Sequence, residues 1–190
     1  FDAVDIYDLE RATLLTRIPG VPDQLAFSAD NHRLVTAQDG AATLWSLPDG
    51  RKLGRMPTTV SRPHVQTRTA ISPDGQRVAV TTPDDDIWIW DTHERPRLIS
   101  RGTGHRQFAA TLQFSADGRS LLSAGMDGLL FLWNSDDGRI QLRLDLDTGW
   151  LADVTLSPDG QRIVAADSSG TLRSWDAHTG EPQLRVVSQH

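Results

Sequence analysis

Cysteine is absent from the 190 residues, which excludes disulfide frameworks, thiolate nucleophiles and thiolate metal sites. Lysine is nearly absent as well: Lys52 stands alone against eighteen arginines. That bias points to a GC-rich, bacterial source and changes little physically, since most surface arginines simply solvate the chain. No apolar run approaches a membrane span, and the acidic opening Phe1-Asp2-Ala3-Val4-Asp5 is not a secretion signal. No block of basic residues occurs and the net charge is −6, so the electrostatic footprint of a nucleic-acid binder is missing. The absence of cysteine does not fix a redox compartment; the expectation is a cytoplasmic protein with neither membrane nor nucleic acid as its partner. Also missing are a Gly-x-Ser-x-Gly elbow and a phosphate-cradling glycine loop, and no histidines stand at metal-ligand spacing. The expectation is therefore no catalytic residue, no metal and no cofactor.

What the chain does have is a repeat. A Ser-(Pro/Ala)-Asp-(Gly/Asn) turn begins at Ser28, Ser72, Ser115 and Ser157, and each is followed by a tryptophan: Trp45, Trp90, Trp133 and Trp175. The steps between turns are 44, 43 and 42 residues, and between tryptophans 45, 43 and 42. A period in the forties built from short apolar runs and turns marks a stack of small sheets.

The third repeat, from Gly104 to Leu146, shows how one unit is built. A strand runs from Phe108 to Phe114, then Ser115-Ala116-Asp117-Gly118 makes a tight turn, with glycine in the left-handed position and aspartate bonding its own backbone. In the next strand Leu121 and Leu122 are adjacent and point to opposite faces, so both faces are buried. Asp127-Gly128 is a hairpin turn, Leu129 to Trp133 a third strand, and after Asp136-Asp137-Gly138 a fourth strand runs from Ile140 to Leu146. Leu34, Val78, Leu121 and Ile163 each lie six residues after their turn serine. Phe27, Ile71, Phe114 and Leu156 share the end of the first strand, with Leu25, Thr69, Leu112 and Val154 two residues earlier on the same face. That face is expected to pack between neighbouring sheets.

With its Gly-His opening, Ser-Pro-Asp-Gly turn, Asp-Gly turn and closing Trp-Asp, the chain resembles the WD-repeat β-propeller family. The closing pairs are Trp45-Ser46, Trp90-Asp91, Trp133-Asn134 and Trp175-Asp176, with Tyr7-Asp8 as a fifth. The resemblance implies an all-β fold of four full four-stranded antiparallel blades plus a partial N-terminal blade: residues 1–18 partial, then 19–60, 61–102, 103–147 and 148–190. It also implies a structural tetrad of His105, Ser123, Asp127 and Trp133, complete in the third repeat alone, which is accordingly expected to be the most rigid. The first repeat has Gly20-Val21 in place of Gly-His, the second has His64 two residues late and Asp84-Asp85-Asp86 in place of Asp-Gly, and the fourth has Gly149-Trp150 and Ser169-Gly170. Four and a half blades leave unpaired edges and a bare apolar face. The expectation is a piece of a longer protein whose missing blades come from upstream sequence.

Two sets of residues are candidates for function. Gln24, Arg68, Thr111 and Asp153 occupy matching positions on the first strands near the central channel, and Arg68 and Asp153 are either paired channel lining or a meeting point for a ligand. Arg62, His64, Arg106, Met126 and Trp150 fall on the face made by blade-to-blade loops and Asp-Gly-type turns, where an aromatic among arginines resembles a binding hot spot. Trp150 has an equal claim to pack where the missing histidine of its repeat would sit. Asp84-Asp85-Asp86 reads as a solvated turn, and Asp145-x-Asp147-x-Gly149 fails as a calcium loop because the twelfth position is Leu156. Trp88 and Phe131 are expected to pad their blades. The resulting expectation is a non-enzymatic scaffold or sensor module for a protein or peptide partner. By the resemblance, it belongs to a larger bacterial signalling protein such as one carrying a kinase or signalling ATPase. The alternative is part of a propeller hydrolase or quinone-dependent dehydrogenase with its site at the channel.

Overall fold

The computed structural model describes residues 3–58, 66–146, 151–167 and 169–187. Each Ser-x-Asp-Gly/Asn segment folds as the local chemistry dictates. The serine hydroxyl donates to the aspartate carboxylate at 2.5–2.6 Å, and the same serine oxygen accepts from the backbone N–H five residues on. The residue after the aspartate takes the left-handed conformation, at φ 70°, 71° and 71° for Gly75, Gly118 and Gly160, and at 58° for Asn31. These turns reverse the chain and set the register of the strands on either side.

The strands are antiparallel and grouped in chain order. A two-stranded sheet holds β1 (Ala3–Asp8) and β2 (Thr13–Pro19). The first four-stranded blade holds β3 (Gln24–Phe27), β4 (Arg33–Gln38), β5 (Ala41–Ser46) and β6 (Lys52–Pro57). The second holds β7 (Thr69–Ile71), β8 (Arg77–Thr81), β9 (Ile87–Asp91) and β10 (Arg97–Gly102). The third holds β11 (Ala109–Phe114), β12 (Ser120–Gly125), β13 (Leu129–Asn134) and β14 (Ile140–Asp145). The fourth holds β15 (Leu151–Leu156), β16 (Arg162–Asp167), β17 (Leu172–Asp176) and β18 (Pro182–Val186). Among the described residues there is no helix. The first strands β3, β7, β11 and β15 lie side by side in succession, so each blade radiates outward from an inner strand, as in a propeller.

The core lies between the blades. One cluster joins Ala79, Ile87 and Ile89 of the second blade to Phe114, Leu121, Phe131 and Trp133 of the third. Another joins Leu122, Leu130 and Leu132 of the third to Val154, Ile163 and Trp175 of the fourth. Leu34, Val78, Leu121 and Ile163 are all 0% exposed, and Leu122 is buried on the opposite face from Leu121, as a sheet sandwiched between two others requires. Trp133 packs so closely on the second blade that a Cβ on Gly102 would lie 2.9 Å from its Cζ3.

One expectation fails in the first blade. Ile71, Phe114 and Leu156 are buried at the end of their inner strands, but Phe27 is 43% exposed and Leu25 38% exposed. The sheet before them has two strands, which cover Leu34 through Ile6 and Ile18. No inner strands lie against Leu25 and Phe27 among the described residues.

Candidate interaction face

Four side chains from separate elements converge at one end of the third blade. Ser123 stands on β12, Trp133 on the paired strand β13 two residues past the register partner Phe131, Asp127 in the turn between them, and His105 in the segment leading to β11. Trp133 Nε1 donates to Ser123 Oγ at 2.9 Å. Ser123 Oγ lies 2.9 Å from His105 Nε2, and His105 Nδ1 lies 3.2 Å from Asp127 Oδ1. Indole N–H is a donor only and a carboxylate an acceptor only, so the chain of protons runs one way. Trp133 donates to Ser123, the serine hydroxyl donates to Nε2, and Nδ1–H donates to the carboxylate. This order requires neutral histidine. Burial, opposed by the Asp127 charge, pushes His105 below its ordinary value of 6.5 and supplies that state. At Asp127 burial acts upward as the largest influence. The Arg106 and Leu129 N–H donors and His105 together outweigh it, and the carboxyl sits below the usual range. The Phe131 ring meets His105 edge-on, 4.9 Å between centroids. The assembly pins the His105–Phe108 segment onto the blade.

The other blades keep fragments of this lock. Trp45 Nε1 donates to Thr36 Oγ1 at 2.9 Å. Where a histidine would complete that blade, there is a cleft of about 170 Å³ lined by Pro22, Gln38, Asp39 and Trp45. In the second blade the serine position, ten residues before the tryptophan, is Val80, and in the fourth it is Ala165. Trp90 Nε1 is accordingly buried without a hydrogen-bond partner, and so is Trp88 Nε1. Trp88 and Phe131 are both buried within their blades, and the Arg101 guanidinium covers the Trp88 ring at 4.5 Å.

Around the locked segment three of the candidate residues come together. The Arg68 guanidinium crosses from the second blade to lie 5.7 Å from the centre of the Phe108 ring. The Phe108 carbonyl accepts from Met126 N at 3.0 Å, which holds the 38% exposed Met126 side chain nearby. Arg106 N donates to Asp127 Oδ2 at 2.6 Å while its side chain stands in solvent. Arg68 Nη2 donates to Gln66 Oε1 at 3.3 Å, and its Nε is buried with no partner. The acidic turn borders this patch: Asp85 acts on His105 through its charge. Burial and the neighbouring Asp84 and Asp85 raise Asp86 above the usual carboxyl value.

The channel-side residues divide. Gln24 Oε1 accepts from Thr69 N at 2.7 Å and so ties the first blade to the second. Thr111 is half-buried. Asp153 is exposed and accepts from Val154 N, and no hydrogen bond or ion pair joins it to Arg68 among the described residues. Arg62, His64 and Trp150 lie outside the described residues. Among the described residues no three His, Cys, Asp or Glu side chains group as a metal site would need. Phe108, the centre of the patch, was hidden in the sequence as the opening residue of a strand. Its partner Arg68 lies forty residues upstream.

The WD domain, G-beta repeat family profile matches residues 97–134 and 138–176. Over those two segments the chain is similar to the WD-repeat family. Each matched WD unit begins on the outer strand of one blade and supplies the three inner strands of the next, so the sequence repeat itself laces neighbouring blades together. The chain is 28% identical over 116 residues to the meiotic recombination protein rec14 of Schizosaccharomyces pombe, covering 61% of this chain and 38% of that protein. It is 27% identical over 123 residues to the protein LST8 homolog of Drosophila melanogaster, covering 62% of this chain and 38% of that one. To the human WD repeat and SOCS box-containing protein 1 it is 27% identical over 112 residues, covering 58% and 26%. It thus spans well under half the length of these WD-repeat relatives. WD-repeat proteins typically act as protein-interaction scaffolds.

Proposed function

We propose that this chain is a non-catalytic interaction module that holds a protein or peptide partner on the face built from Arg68, Phe108, Arg106 and Met126. The observation that carries the reading is the cross-blade stack of Arg68 on Phe108. A cation, an aromatic and an exposed methionine are fixed in one patch by a buried hydrogen-bonded lock beneath them. Rigid, partly desolvated arginine and aromatic side chains are the groups that dominate binding energy at protein interfaces. We place the module in a larger bacterial signalling protein of the cytoplasm. Eighteen arginines against one lysine support the bacterial source, and the cytoplasmic setting rests on the signalling role.

The test is a photo-crosslinking amino acid at position 126, with one at Gln183 on the outer strand β18 as control, in the cell that makes the protein. A discrete adduct from position 126 alone, lost in an Arg68→Ala/Phe108→Ala variant with unchanged circular dichroism, is the expected result. Equal labelling from both positions, or an adduct indifferent to those substitutions, would refute it.

A further inference from the structure

At the end of the strands opposite to that face, the blades are stitched to one another by the residue five positions after each turn serine. These residues are Arg33, Arg77, Ser120 and Arg162. Between the first and second blades Arg33 fills the seam. Its Nη1 donates to Gly75 O at 2.8 Å and Thr92 O at 3.1 Å, and its Cδ lies where a Cβ on Gly75 would be, 2.9 Å away. Between the second and third blades Arg77 reaches the Asp136 carboxylate.

Between the third and fourth blades the stitch is missing. Ser120 is too short to cross, and its hydroxyl donates instead to Gln141 Oε1 within its own blade at 3.0 Å. The Gly160 carbonyl on the far side is also unclaimed among the described residues. Thr92 Oγ1 donates to Gly75 O and Ser135 Oγ to Gly118 O, but the matching residue in the fourth blade is Ala177, which has no hydroxyl. Among the described residues no donor reaches Gly160 O. A Cβ on Gly160 would meet nothing within 4 Å, where Gly75 carries the stem of Arg33. The result is a cleft of about 300 Å³ whose lining includes Ser120, Gln141, Gly160 and Ala177. The carboxylates of Asp117 and Asp159 stand at it, and Leu132 and Leu156 form apolar wall. Each carboxylate spends Oδ1 on its own turn and leaves Oδ2 without a hydrogen-bond partner among the described residues, with the Arg119 side chain near Asp117 and the Arg162 side chain near Asp159 acting on them through charge alone.

We propose that this cleft receives an arginine side chain of a partner polypeptide, which takes the place that Arg33 occupies at the equivalent seam. A guanidinium presents several planar donors to the free carbonyl and the two carboxylates, while its methylene stem lies on Leu132 and Leu156. The site is separate from the Phe108 patch, at the other end of β11, so either can fail without the other.

The probe is N-acetyl-arginine-methylamide, titrated into the isotopically labelled chain with amide resonances followed by NMR, and the lysine analogue is the control. Saturable shifts confined to Ser120, Gly160 and their neighbours are expected, with a dissociation constant on the order of millimolar for a single side chain. The lysine analogue should bind at least roughly tenfold more weakly, lacking the fork. Ser120→Arg rebuilds the internal stitch and should abolish the shifts while raising the unfolding midpoint. Ala177→Ser supplies Gly160 O with a donor and should weaken binding roughly threefold to tenfold. The proposal fails if shifts are unsaturable, if the lysine analogue binds equally, or if both variants bind like the parent chain.

Discussion

At the scale of single residues, the lock in the third blade is a chain of obligatory donors and acceptors, so removing its middle member is costly at both ends. Ser123→Ala leaves Trp133 Nε1 without an acceptor and His105 Nε2 without a donor, both buried. At about 1–3 kcal/mol for each orphaned group, the expected loss is about 2–6 kcal/mol in urea denaturation. Thr36→Ala in the first blade orphans only the Trp45 indole and should cost about half as much; equal losses would mean that the serine–histidine bond contributes nothing. Histidine 105 also makes stability depend on pH. Its folded pKa lies below the ordinary 6.5 because of burial, so the unfolded chain takes up a proton that the folded one resists. The stability it contributes is present above about pH 6.5 and is lost as pH falls toward the folded value. Asp127, also depressed, adds a second loss at more acidic pH, below its ordinary 3.8. The unfolding midpoint should therefore drop between pH 7.5 and 5.5, and His105→Gln should flatten that part of the profile; an unchanged slope in the variant would assign the effect elsewhere.

At the scale of strands and blades, the third blade should be the slowest to open. It alone among the described blades joins histidine, serine, aspartate and tryptophan in one network. The second blade buries two indole N–H groups without partners, and β18 of the fourth is exposed along its whole length. Hydrogen exchange followed by mass spectrometry should show peptides from β12 and β13 protected longer than those from β16 and β17; the reverse order would remove the lock from any account of rigidity. The strands themselves were legible because their causes are local. A serine hydroxyl on an aspartate two residues away and a left-handed glycine fix each turn, and period-two alternation fixes each face. Val80 and Ala165 carry a readable signal too: each is an apolar residue ten positions before its tryptophan, where the third repeat has Ser123. The stack of Arg68 on Phe108 had no such signal. It depends on a long side chain crossing between blades, and no spacing within one repeat encodes which way that side chain turns. The exposure of Leu25 and Phe27 is likewise a property of the neighbouring sheet, while their own strand is as apolar as the others.

At the scale of the molecule, the main contacts among the described residues join each blade to its neighbours, so stability is a sum of blade terms and seam terms, and the seams are unequal. The first seam has both Arg33 on two carbonyls and Gln24 on Thr69 N. The second has Arg77 on Asp136, an exposed carboxylate where solvent weakens the pair. The third has Gln113, whose Oε1 accepts from Leu156 N and Thr155 Oγ1, and the open cleft beside it. Arg33→Met separates packing from polar stitching, because methionine keeps an apolar stem over Gly75 but donates nothing. With hydrogen bonds from a charged donor contributing about 1.5–3 kcal/mol when partly buried, the variant should lose about 2 kcal/mol. The loss should be local: exchange should accelerate in β3 to β6 and leave β11 to β14 unchanged, since among the described residues the apolar cluster at this seam draws on the first and second blades. Uniform acceleration across all four blades would show instead that the chain opens as one cooperative unit. The seams would then have no separate energies to lose or regain.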